Sequence, residues 1–258
     1  MFQFMLTPAA GKRLIGRALA CHPVICKTLK KGILVIVAGT TNAYVAEEIL
    51  SSINQREGFD RKHFFRGITL SPAFRITDIG RLAGEEGHFR GDVVIKDGKW
   101  FHGMTIYDVA DELNEGDVIL KGANALDIAN RKAGVLIGHS EGGTAIVALR
   151  ALVGRRVRLI IPVGLEKRVP GPIDGVAGLV NSPGVKGMRL LPLPGEVFTE
   201  IEALRLLAGV DSQIIAGGGV GGAEGGIWII ISGTPVQEEV ARNILESVAS
   251  EPTFCFDT

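Results

Sequence analysis

The run Ile33-Leu-Val-Ile-Val37, followed by Ala38-Gly-Thr-Thr-Asn42 and then by the helical pattern Ala43–Ile53, restricts this chain more than any other stretch. Five consecutive apolar, mostly β-branched residues do not alternate in polarity, so a strand made of them must be covered on both faces. Strand, small polar turn, helix is the opening unit of a parallel α/β sheet. The same alternation returns at Asp117–Leu120, Val135–Ile137 and Val157–Val163, with a helix expected at about 145–153 and a short one at Asp108–Leu113. The expected fold is α/β: an open, mostly parallel sheet with helices on both faces. Asp97-Gly98 reads as the tight turn of a hairpin over Asp92–Phe101, residues 64–70 as a further strand, and 71–91 as irregular. Residues 56–104 read as an insertion. Residues 7–31 read as one helix, opened by Thr7-Pro8 and ended at Gly32.

After Val169 the texture changes, and Pro170, Gly171, Pro172 and Gly175 mark a loop. The tail reads as strand 188–193, helix 196–208, strand 211–216, strand 227–232, helix 235–249 and strand 252–256. That order is βαββαβ, a ferredoxin-like unit, so two domains are expected, 1–180 and 181–258.

Glycine is the compositional outlier: 35 of 258 residues, about 14% against a usual ~7%. Its densest block, Ala216–Gly226, holds seven glycines in eleven residues but precedes a strand rather than a helix. It therefore departs from a dinucleotide fingerprint and reads as a hairpin tip, a candidate lid, with Glu224 as its single charge.

The 28 basic residues balance the 28 acidic ones, so a nucleic-acid partner would need a local basic patch. Arg150, Arg155, Arg156, Arg158, Lys167 and Arg168 are basic but lack interleaved aromatics, and they read as a solvated loop. No apolar run approaches the length of a membrane span, and the first basic residue is Lys12, which does not fit a secretory leader. Cys21, Cys26 and Cys255 cannot form a closed disulfide set, and Cys21-His22 with Cys26 matches no common zinc spacing. A reducing cytoplasm is expected, with neither metal nor cofactor. The expected partners are a small anionic metabolite and further copies of the chain, with neither nucleic acid nor membrane.

Three turns carry candidate chemistry. Gly39-Thr-Thr-Asn42 opens a helix, where free N–H groups, the helix dipole and the Thr40 and Thr41 hydroxyls favour an anion. An ordinary capped turn uses the same residues. Lys121-Gly-Ala-Asn-Ala-Leu-Asp127 follows a strand at the sheet edge where ligands bind. There Lys121 can neutralise an anion, Asn124 can bond hydroxyls, and Asp127 can either move a proton or bond its own turn. Gly138-His-Ser-Glu-Gly-Gly-Thr144 matches Gly-x-Ser-x-Gly around Ser140, yet no histidine follows His139, so a hydrolase triad is not expected. A second anion-binding turn fits better.

These segments together resemble the superfamily of ribose-5-phosphate isomerase A, glucosamine-6-phosphate deaminase, the sugar-phosphate sensors of DeoR-type repressors and the CoA transferases. Val37–Glu48 resembles its first strand, phosphate loop and helix. Leu120–Asp127 resembles its Gly-Ala-Asp-x-x-Asp loop, with Asn124 in place of the first aspartate. Leu159–Val169 resembles its strand ending in a lysine motif. The resemblance implies a Rossmann-like sheet, a ferredoxin-like lid and a sugar-phosphate ligand. It carries Asp127 over as the second aspartate of the loop and Lys167 as the family lysine, with Glu141 as a loose candidate base. The implied activity is aldose–ketose isomerisation by proton transfer. A non-catalytic sensor and an acyl-CoA-binding protein remain the alternatives.

Overall fold

A computed structural model describes residues 1–66, 69 and 91–254. In chain order these form β1 (Phe2–Leu6), α1 (Pro8–Ala20), α2 (Pro23–Lys30), β2 (Ile33–Ile36), α3 (Thr40–Ser52), β3 (Val93–Lys96), β4 (Lys99–Phe101), α4 (Ile106–Val109), β5 (Val118–Leu120), β6 (Ala125–Asp127), β7 (Lys132–Ile137), α5 (Gly143–Arg155), β8 (Arg158–Pro162), α6 (Ile173–Val180), β9 (Arg189–Leu193), β10 (Glu196–Phe198), α7 (Glu200–Ala208), β11 (Asp211–Gly218), β12 (Gly226–Ser232) and α8 (Pro235–Ala249).

The main sheet has the order β10-β8-β5-β2-β3-β4. Its first four strands run parallel, and β3 and β4 add an antiparallel hairpin on the far side of β2. The hairpin turns at Asp97-Gly98, both with positive φ, where the sequence places it. Leu34, Val35 and Ile36 are all fully buried. Successive side chains of a strand point to opposite faces, so β2 is covered on both.

The long helix expected over 7–31 is two. Thr7 caps the first through the Ala10 N–H, and the chain breaks at Cys21-His22 so that Pro23 can open the second. Proline lacks an N–H and fits a first helical turn but not a helix interior.

The tail differs more. The strands expected to build one βαββαβ sheet enter two separate sheets instead, and an additional strand joins a third. β9 pairs with β7, in a small sheet ordered β6-β7-β9. β10, inside the range expected as helix, extends the main sheet beside β8. β11 and β12 form the glycine-tipped hairpin, and their sheet is completed by β1, a strand absent from the expectations. Residues 252–254 are not strand, and 255–256 lie outside the described residues, as does Cys255. Of the strand expected at 64–70, residues 64–66 are irregular and 67, 68 and 70 lie outside the described residues, as do 71–90 of the expected irregular stretch. One buried apolar cluster runs from Leu6 to Val248 across the expected boundary at 180. Among the described residues, no helix is long and apolar enough to cross a membrane.

Leu34 is fully buried in this core and is in register with a residue of each neighbouring strand. Leu34→Ala is expected to lower unfolding free energy by ~2–5 kcal/mol, the range for a buried leucine truncation, measured by urea denaturation.

Candidate functional site

The carboxyl ends of β2 and β5 lie side by side, and the chain leaving each of them borders one cavity of about 800 Å³. From β2 come Ala38, Gly39, Thr40, Thr41 and, from the helix that follows, Tyr44; from β5 come Lys121, Gly122, Ala123 and Asn124. Lys167 arrives from the turn after β8, Lys12 from α1 and His139 from the turn after β7. Arg66, Thr69, Tyr107 and Thr144 add to the polar lining, and Val135, Leu136, Ile137, Met188 and Phe254 supply an apolar side. The described lining therefore holds Lys12, Arg66, Lys121 and Lys167 and no carboxylate.

Two helices start at this cavity, α3 and α5, and each is preceded by a glycine that gives no side-chain cap. By contrast α7 and α8 carry full capping boxes. Unfilled N–H groups at a helix start favour a bound anion. Neither α3 nor α5 has an acidic residue in its first turn to satisfy them. Gly142 has φ of 76°, a left-handed conformation that brings the loop round into α5 and suits glycine.

The lysines differ in their surroundings. Lys167 donates to Ala123 O at 2.9 Å and to Thr41 Oγ1 at 3.4 Å. Burial holds its pKa below the ordinary lysine value. Lys12 faces Glu166 at 3.9 Å. The Lys121 ammonium makes no hydrogen bond or ion pair among the described residues. Burial lowers its pKa to about 8; Asp92 opposes the shift, and Arg66 and Lys167 add to it. Asp92 itself is occupied: it accepts from Ala38 N (2.9 Å), Ile106 N (2.8 Å) and Arg66 (3.1 Å). His139 Nδ1 accepts the Glu141 N–H at 3.1 Å, so the neutral ring carries its proton on Nε2.

A charge network anchors the wall around Tyr44. Arg13 pairs with Glu47, Glu48 and Glu251, and Arg61 with Glu47 and Glu251. The two guanidinium groups lie 4.9 and 4.2 Å from the Tyr44 ring centroid. Glu251 follows α8, so these pairs hold the segment that carries Phe254 to the cavity.

Of the residues expected at a site, Gly39, Thr40, Thr41, Lys121, Asn124 and Lys167 meet here. Lys167 separates from its basic neighbours: Arg150 and Arg155 pair with Asp111, and Arg158 with Glu196. Four expected residues do not line the cavity. Asn42 is buried and donates to Val37 O (2.7 Å) and Leu120 O (3.0 Å), tying β2 to β5. Ser140 and Glu141 are exposed on the loop. Asp127 accepts from Asn130 N, Asn130 Nδ2 and Ile173 N, closing its own turn and fastening the start of α6. Lys12, Tyr44, Arg66, Tyr107 and His139 were not anticipated as lining. Of these, His139 lies inside the Gly138–Thr144 turn and Tyr44 inside the Val37–Glu48 motif, while the other three lie in no motif that marked a site. Among the described residues, no cluster of three or more His, Cys, Asp or Glu is placed to hold a metal.

Behind Lys12 and Lys167 lies Glu200, 2% exposed, accepting from Leu165 N at 2.9 Å. A Cβ at Gly11 would collide with Glu200 Oε1, so glycine leaves the room this carboxyl occupies. Burial, and then the charge of Glu166, push the Glu200 pKa up to about 8.

Comparison of the chain with family models, curated proteins and solved structures returned no match.

Two outcomes follow from these placements. Asp127→Asn removes acceptor charge from a turn whose aspartate does not line the cavity. It is expected to lower the melting temperature while phosphate affinity, measured by calorimetry, stays within about twofold. Glu200 is held protonated by the fold, so its stabilising share is complete below the ordinary carboxylate pKa of ~4.3 and declines as pH rises to about 8. Glu200→Gln removes that loss. Its unfolding free energy relative to the parent is expected to rise between pH 5 and pH 8 and to level off above. Parallel denaturation curves for the two proteins would expose a flat difference, which would contradict it.

Proposed function

We propose that this cavity binds a small anionic metabolite through a phosphate or comparable oxyanion. The observation that carries the reading is its lining, which among the described residues holds four cations, two uncapped helix starts and no carboxylate. Lysines brought into a poorly solvated space cost folding free energy. A bound anion recovers part of that cost by charge-assisted hydrogen bonds. Thr40 and Thr41 add hydroxyl donors, and the apolar side takes the carbon skeleton.

The resemblance of Val37–Glu48 and Leu120–Asp127 to sugar-phosphate isomerases and sensors supports the same ligand class, and with it a Rossmann-like reading of the parallel strands. Sugar phosphates are therefore the first compounds to test. Proton transfer by Asp127 or Glu141 has no geometric support, because neither borders the cavity. Lys121 is a lining group suited to moving a proton near neutral pH.

Thermal-shift and calorimetric titration against sugar phosphates, nucleotides, CoA esters and their unphosphorylated parents tests the proposal. A phosphorylated ligand at a hundred times its Kd should stabilise the fold by ~2.7 kcal/mol. Its parent should bind at least about tenfold more weakly, as loss of one charged hydrogen bond implies. Lys121→Met should weaken binding by a similar factor. Affinity should fall as pH rises through about 8, where free Lys121 loses its charge. Equal affinity for phosphorylated and parent compounds would rule the reading out.

A further inference from the structure

We propose that Lys121 is a nucleophile whose ε-amine condenses with the carbonyl carbon of an anionic aldehyde or ketone held in the cavity, forming an imine. This rests on the anion-binding reading above and names the substrate class for it.

The three lysines at the cavity are not equivalent. Lys167 is tied to Ala123 O and Thr41 Oγ1, which makes it a holding group. Lys12 faces Glu166. Lys121 alone of the three has a nitrogen with no hydrogen bond or ion pair among the described residues. Its backbone is fixed, since Lys121 N donates to Ile160 O at 3.1 Å and the residue directly follows β5. The charged groups that act on its nitrogen are Asp92, ahead of β3, Arg66, and Lys167 after β8. Asp92 spends its oxygens on two backbone N–H groups and Arg66, so its pull on Lys121 is diluted, while the two cations repel a proton on it. With burial, these leave an appreciable fraction of neutral amine at neutral pH.

The step balances without any oxidant or reductant. The neutral nitrogen lone pair attacks the carbonyl carbon, and the C–O π electrons move to oxygen, which takes a proton. The nitrogen loses a proton to give a carbinolamine. Protonation of its hydroxyl releases water as the C=N bond forms. His139, whose ring nitrogens can accept and donate a proton, also lines the cavity. The anion of the substrate, held by Lys167, Thr40, Thr41 and the α3 N-terminus, brings the carbonyl to Lys121.

The full chain is incubated with pyridoxal 5′-phosphate, an anionic aldehyde, or with pyridoxal, which lacks the phosphate. Borohydride then reduces any imine to a stable secondary amine, and the adduct is mapped by peptide mass spectrometry. The expected result is a single principal adduct at Lys121, formed at least about tenfold faster with the phosphate than without it, as proximity requires. Each rate is first divided by that with free Nα-acetyl-lysine, which corrects for hemiacetal closure of pyridoxal. Inorganic phosphate should suppress the adduct, and K121R should abolish it. The comparison of the two aldehydes on the unmodified chain stands even where K121R fails to fold. If pyridoxal 5′-phosphate raises the melting temperature but the adduct is spread over other lysines, the nucleophile is overturned and anion binding stands. If neither inorganic phosphate nor pyridoxal 5′-phosphate stabilises the fold and no adduct forms at Lys121, both fall.

Discussion

The parallel pairing of β2 with β5 is the contact on which the rest of the molecule depends. Register Val35↔Ile119 and Ile36↔Leu120 brings two strand ends level, so the chains leaving them, 38–41 and 121–124, emerge together. Backbone continues the pairing past the strands, with Val37 N donating to Leu120 O at 2.9 Å. Asn42 then closes the gap with its own amide, bonded to Val37 O and Leu120 O. A side-chain amide between two carbonyls is a short crosslink in a place where the ladder must end. It sets the floor that Lys121 and Thr41 rise from. Open α/β sheets bind ligands at this edge because helix starts, strand ends and turns converge there.

Around that floor the fold accepts unfavourable electrostatics. Lys121 and Lys167 are both held below the ordinary lysine pKa by burial. Glu200, just behind, is pushed the other way, again mainly by burial. A core chosen for stability alone would not gather these groups. Elsewhere the same protein satisfies its charges thoroughly: Arg13 alone reaches three carboxylates. The contrast is what supports placing the proposed ligand at the cavity, where local rules are broken, rather than at the network beside it, where they are kept.

Local signals were read well where one segment decides its own conformation. The run 33–37 had to be a covered strand, Asp97-Gly98 had to turn a hairpin, and Thr234-Pro235 had to open a helix. The division at Cys21-His22 was also legible, because Pro23 does not fit a helix interior. The tail strands β9, β11 and β12 lie close to where the sequence places them, but β10 falls in a stretch read as helix, 252–254 is not strand, and the sheets they join differ from the expected one. Alternation and hydrophobicity mark a strand; they do not say which edge it will join. β9, β10 and β12 each found theirs far away in sequence, in β7, β8 and β1.

The sequence by itself determined the layered α/β character and the turns at Gly39 and Lys121, because those follow from residue size, polarity and glycine over a few positions. Only the tertiary structure decided which polar residues face one space. Asp127 and Lys121 are six positions apart in one motif, yet Asp127 closes a turn and Lys121 enters the cavity. Lys12 and Lys167, from opposite halves of the chain, meet there. Whether a polar side chain serves its own loop or a ligand depends on which donors are already satisfied around it. That balance is set by long-range packing, which no local spacing encodes.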